Sequence, residues 1–202
     1  MQNGSAQDDS ISAGGMLDGS RPVGTWEEFS QRMAFEGSLH IVVDALPVGG
    51  EMAGYNERNL HVLRALASLD ERRAENTAED DSPVMQELLR MDSKINVLME
   101  VVNRLLIPIA QLPTQHVIRF NALGLVVPAV LANAGAVVLV RLHFDACRAL
   151  PLEMPGRPDR RFDDGSQFIA FFRSSEMVED GLERFVFRHH RRKVAEARLT
   201  ST

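Results

Sequence analysis

One stretch, Pro83 to Ile107, constrains this chain more than any other. Ser82 suits an N-cap and Pro83 a first helical residue. With Met85 set at heptad position a, the a series is Met85, Asp92, Met99 and Leu106, and the d series is Leu88, Ile95 and Val102. Position g is apolar as well, at Val84, Met91, Leu98 and Leu105. A two-stranded coiled coil needs only the narrow a/d stripe. A stripe widened by g must be covered on two sides, so either more than two helices associate or this helix lies across its own domain. Asp92 is costly at a core position if desolvated, which makes it a candidate register-setting residue, unless it sits at a wet, flared level of a bundle.

Beyond Pro108 and Pro113 the period changes from helical to alternating. Gln115 to Phe120 reads as a strand, Asn121 to Gly124 as a turn and Leu125 to Ala129 as a second strand. Asn133 to Gly135 marks another turn, and Ala136 to Asp145 a long strand whose even positions, Val138, Val140, Leu142 and Phe144, are apolar. Arg148 to Met154 is placed to pair with it. Pro155 to Gly165, with two prolines, three arginines and three aspartates, predicts an exposed loop. Gln167 to Phe172 is a further strand, and Ser175 caps a helix over Glu176 to Arg198. Short strands spaced by turns, closed by a terminal helix, suggest a small antiparallel barrel sealed by that helix.

On the N-terminal side, residues 1–24 are too polar to order themselves. Thr25 and Glu28 form a capping box that opens a short helix at Trp26. Leu39 to Asp44 is a strand, Val48 to Gly54 a glycine loop, and Asn56 to Arg73 a helix with Val62, Leu63, Leu66 and Leu69 on one face. Ala74 to Ser82 is a polar, acidic break.

Charge is unevenly spread. Residues 1–82 carry 15 acidic and 6 basic side chains, whereas 108–175 carry 5 acidic and 7 basic. The formal net charge of −6 argues against a nucleic-acid-coating role. The single cysteine, Cys147, excludes an intrachain disulfide and a multi-thiolate metal site, and fits a reducing, cytoplasmic setting. No apolar run reaches the roughly 18 residues of a membrane span, and the first residues lack the pattern of a signal peptide.

Chemistry-bearing motifs are sparse. The loop Gly49-Gly50-x-x-x-Gly54 matches neither the dinucleotide fingerprint nor the phosphate loop, and Glu51 would repel a phosphate. His143, Asp145 and Cys147 share one face if they lie on one strand, but then span roughly 13 Å, too far to chelate one ion. There is no nucleophile elbow and no cysteine with a partner motif. Asp163 and Asp164 read as solvated turn residues. The chain is expected to be non-enzymatic, with no cofactor and no metal. The basic run Arg188 to Lys193 fits either a solvated helix end or a contact with an anionic surface.

From about residue 112 to 198 the chain resembles a PilZ domain, the bacterial receptor module for cyclic diguanylate. The resemblance rests on Val117 to Leu125 across the two strands and on the closing helix Leu182 to Arg192. The family's Asp/Asn-x-Ser-x-x-Gly motif falls on Arg119, Asn121 and Gly124, of which only the glycine matches. A cation in place of the first acceptor reverses its hydrogen-bonding role. The family's R-x-x-x-R motif has no counterpart upstream of the turn between Pro83 and His116, where the arginines are Arg90 and Arg104 on the heptad helix.

The strand at 39–44, followed by two helices with a heptad, is similar to the atypical, tetramer-forming PilZ proteins of plant-pathogenic bacteria. That resemblance implies an α+β fold: a small antiparallel PilZ-type β-barrel with a C-terminal helix and an inserted long coiled-coil helix. It divides the chain into a disordered 1–24, an N-terminal helix and first barrel strand over 25–54, an inserted oligomerisation segment over 55–107 and a barrel with its helix over 108–202. It also implies a homotetramer, through Met85, Leu88, Met91, Asp92, Ile95, Leu98, Met99, Val102, Leu105 and Leu106. The function it implies is an adaptor or scaffold in cyclic diguanylate signalling and virulence-related regulation, with a protein partner and no nucleic acid or membrane span. The alternative is a cyclic diguanylate receptor built on Arg157, Arg160 and Arg161.

Overall fold

The computed structural model describes residues 24–47, 51–75, 83–108, 111–132 and 137–199. The expectations for residues 1–23, for Val48 to Gly50, for most of the acidic break and for the turn at Asn133 to Gly135 lie outside them. Six antiparallel strands close into a barrel in the order β1-β2-β3-β6-β5-β4. These are β1 (Phe35–Ala45), β2 (Gln115–Asn121), β3 (Gly124–Pro128), β4 (Val138–Phe144), β5 (Cys147–Arg161) and β6 (Ser166–Phe171). Among the described residues four α-helices accompany them: α1 (Trp26–Gln31), α2 (Met52–Glu75), α3 (Pro83–Leu106) and α4 (Glu176–Leu199). The architecture is α+β, a small antiparallel barrel with a C-terminal helix.

The first strand divides its length between two neighbours. Phe35 to His40 pairs with β2 and His40 to Ala45 pairs with β4. Both helices α2 and α3 are inserted between the paired strands β1 and β2. Alternation along the strands sends Ile41, Phe120, Leu125, Val140, Leu142 and Met154 inward, all buried. One end of the barrel is stoppered by α4, whose Phe185 ring lies 5.1 to 6.1 Å from those of Phe144, Phe35 and Phe120. The stripe Val62, Leu63 and Leu66 of α2 joins the same core. Helices α2 and α4 pass closely at Gly181, where an added Cβ would stand 3.0 Å from a methyl carbon of Leu63.

Three local expectations need correction. Pro155 to Arg161 is strand, not exposed loop: β5 runs from Cys147 to Arg161, with Pro155 and Gly156 buried. The prolines do not interrupt the strand. The Pro155 carbonyl still accepts from Phe172 N–H at 2.9 Å, and the ladder to β6 shifts register between Pro158 and Arg160. Only the tip around Asp163 to Gly165 turns, with Gly165 at φ +80°. Second, Gly54 lies in the first turn of α2, not in a loop. His143 and Cys147 likewise flank a hairpin turn instead of sharing one strand, and Cys147 belongs to the barrel core. Burial there pushes its thiol pKa upward.

Candidate functional site

The turn between β2 and β3 carries the motif positions, and each is engaged within the chain. Asn121 is buried; its Oδ1 accepts from Leu123 N–H at 2.9 Å, an Asx-type closure of the turn, and its Nδ2 donates to the Phe29 carbonyl at 3.2 Å. Gly124 is required by close packing, since a Cβ there would stand 2.5 Å from both the Ile169 carbonyl oxygen and the Phe168 ring. Arg119 points outward from β2. Its Nη2 donates to the Ser30 carbonyl at 3.4 Å, its Nε lies 3.6 Å from Glu36 Oε1, and its guanidinium stands 5.2 Å from the centre of the Phe29 ring.

Those contacts share a target, helix α1. Its capping box is complete: Thr25 accepts from Glu28 N–H, and Glu28 accepts from Thr25 N–H. Phe29 is fully buried in a cluster with Leu123, Phe168 and Ala170 that is separate from the barrel core. Trp26 lies against Phe162 and Phe168, with ring centres 4.6 and 5.5 Å away. Glu27 faces Arg160 at 3.5 Å. Thus α1 sits on the outer wall of the barrel, against the turn that carries the motif positions. The sequence signal for this was the pair Trp26 and Phe29, one turn apart on an otherwise polar helix, which demands a partner.

The three alternative arginines lie on the outer end of β5. Arg157 stands opposite Ala170, and its Nε is buried with no hydrogen-bond partner. Arg160 is shared between Glu27 and the face of Phe162, 5.4 Å away. Arg161 is exposed opposite Gln167. Beside the turn, a groove of about 470 Å³ opens between Met33, Ala122 and Phe187. Its cations are already paired, Arg32 with Glu183 at 3.2 Å and Arg184 with Asp180 at 2.9 Å. On the basic run, Lys193 reaches Glu36 at 3.7 Å, and the His189 ring lies tilted against that of Phe35, centres 4.2 Å apart. Burial lowers the His189 pKa, a bond with the Glu36 backbone partly opposing it and Arg192 and Lys193 adding to it. Among the described residues no group of potential metal ligands converges, and no helix is long and apolar enough to cross a membrane.

The second feature is α3. Its strongest contact within the chain is with β5, and the wide stripe faces outward. Leu88 is 54% exposed, Ile95 47%, Leu98 62% and Leu105 77%, with Val84, Met91, Val102 and Leu106 also exposed. Met85 and Asp92 are half-buried. The Met99 side chain lies outside the described residues. Arg90 is paired with Glu87 at 3.6 Å on the same helix.

The model of a family described as atypical PilZ domain, cyclic di-GMP receptor, matches residues 63–199, well over half of the chain. No curated protein matches the sequence significantly. Among solved structures, the fold is similar to that of a pathogenic protein from Xanthomonas campestris, described as a new tetrameric PilZ domain self-assembled via an unusual helical bundle. The TM-score is 0.64 at 22% identity, over 83% of this chain and 93% of that one.

Proposed function

The chain belongs to the atypical PilZ family, and from that premise we propose a non-enzymatic signalling adaptor that tetramerises through α3 and does not use cyclic diguanylate. The observation that carries the second half is the state of Arg119. The motif position where the family presents an acceptor here holds a guanidinium committed to the Ser30 carbonyl, Glu36 and the Phe29 ring. A ligand would have to displace α1 and would then meet the wrong polarity.

Assembly is supported by the outward-facing stripe of α3, too wide for a single partner helix. The similar fold from Xanthomonas campestris is described as tetrameric through a helical bundle. Met85, Leu88, Met91, Ile95, Leu98, Met99, Val102, Leu105 and Leu106 form the proposed seam, with Asp92 setting its register. Each fully buried side chain of this kind contributes about 1.5–3 kcal/mol, so partial burial over several chains suffices for association. The result is four barrels presenting one surface to a protein partner, with the gain in avidity that repetition brings.

A second reading, a receptor using Arg157, Arg160 and Arg161, is favoured by one observation: the buried, unpartnered Nε of Arg157. Isothermal titration of the purified chain with cyclic diguanylate separates the two. No heat at ligand concentrations of about a millimolar supports the adaptor. Micromolar binding that Arg157→Ala or Arg161→Ala abolishes overturns it in favour of the receptor.

A further inference from the structure

We propose that the outer wall of β3, β5 and β6 is a peptide-docking groove, that α1 is its resident occupant, and that the adaptor's partner supplies a competing helix with the same acidic and aromatic chemistry. Only the identity of the partner rests on the adaptor reading; the groove stands apart from how chains associate through α3.

Helix α1 is six residues long, far too short to persist in water by itself. Its order therefore comes from its seat. That seat has the parts of helix-in-groove recognition, in which apolar anchors one turn apart enter a hydrophobic trough and charges at the rim fix direction. Phe29 is the deep anchor among Leu123, Phe168 and Ala170, and Trp26 is the shallower one against Phe162 and Phe168. At the rim, Arg160 meets Glu27, Arg119 covers the Phe29 ring, and Asn121 Nδ2 binds the Phe29 carbonyl. The groove thus reads two aromatics at i and i+3 with a carboxylate between them.

One further fact makes the occupant separable from the barrel: the Phe29 cluster does not merge with the barrel core, so emptying it leaves the interior closed. A tethered occupant competes at a local concentration near millimolar, so an external helix must match its contacts to displace it.

The test uses the full chain carrying Trp26→Ala and Phe29→Ala, and as probe a synthetic peptide of residues 24–34. Trp26 is the only tryptophan in the protein, so in this pairing all tryptophan fluorescence belongs to the peptide. The expected result is a saturable blue shift and rise in anisotropy on mixing with the double variant. Binding should be weaker by roughly tenfold or more to the unaltered chain, whose groove is filled. It should weaken again when Arg160→Ala is added, and a peptide carrying Phe29→Ala should not bind. A double variant that retains its cooperative thermal transition yet leaves the peptide free at about a millimolar overturns the proposal. If the variant does not fold, hydrogen exchange on the unaltered chain decides. The Phe29 amide exchanging roughly a hundredfold faster than that of Phe171 supports a detachable α1, and equal protection overturns it.

Discussion

The side-chain amide of Asn59 on α2 pairs with the backbone of Glu153 on β5 from both ends. Its Nδ2 donates to the Glu153 carbonyl and its Oδ1 accepts from the Glu153 N–H, each at 2.7 Å. Asn59 is buried, so a helix side chain here imitates an additional strand. Around it the Glu153 carboxylate bridges Arg58 at 2.7 Å and Arg141 at 3.1 Å, and Arg141 continues to Asp44 at 2.7 Å. This is the clamp that ties the inserted helix α2 to the barrel.

Asn59→Ala leaves a backbone donor and acceptor on β5 without their partners. The expected cost is about 2–4 kcal/mol, two unsatisfied buried groups at about 1–3 kcal/mol each with some recovery by water. Urea unfolding measures it, and a loss below 0.5 kcal/mol, the range of an ordinary surface change, would show the clamp to be decorative.

At the α3 seam, Ile95→Glu together with Val102→Glu places two carboxylates where the proposed bundle buries apolar surface. Light scattering should report the mass of a single chain, 22.5 kDa, while circular dichroism retains the barrel. An unchanged mass would remove the tetramer from the proposal.

Gly124→Ala tests why the motif's glycine persists. With the Ile169 carbonyl and Phe168 ring each 2.5 Å from the new Cβ, β3 and β6 must part. The expected destabilisation is about 1–3 kcal/mol, seen as a fall of several degrees in melting temperature. A fully stable Gly124→Ala chain would return that glycine to a ligand role.

His189 gives a pH dependence of defined sign. Its pKa in the folded chain lies below its unfolded value, mainly through burial. An unfolded histidine titrates near about 6.5, so as pH falls below that the unfolded state binds more protons and stability declines until the folded value is passed. Above about pH 7 the contribution is fully present. His189→Phe keeps the ring contact with Phe35 and removes the proton, so its melting temperature should drop less between about pH 7.5 and 5.5. An equal drop assigns the dependence to other groups.

The elements most legible in the sequence are those written in local chemistry. The Thr25–Glu28 capping box, the α3 heptad and the Asn121–Gly124 turn are specified by residues within one or two turns of each other. What escaped is specified by contacts distant along the chain. Phe29 and Asn121 are 92 residues apart, and nothing near Trp26 names Phe162 or Phe168 as its partners. Pro155 and Pro158 misled because a proline's lost donor matters only where a neighbour strand would use it. Beside Pro158 the ladder shifts register, which no local pattern encodes. The place of β1 in the barrel was accessible through family resemblance alone, since two helices separate it from the other strands.

That separation bears on how the chain acquires its shape. The adjacent strands β1 and β2, which a tight hairpin could have joined, are held apart by the whole α2–α3 excursion. Helical turns form within about a microsecond, from contacts a few residues apart, whereas sealing β1 between β2 and β4 must wait for closure of that long loop. The order of events is then helices first and barrel last. A newly made chain therefore carries α2 and α3 as formed helices while β1 still waits for its two neighbours.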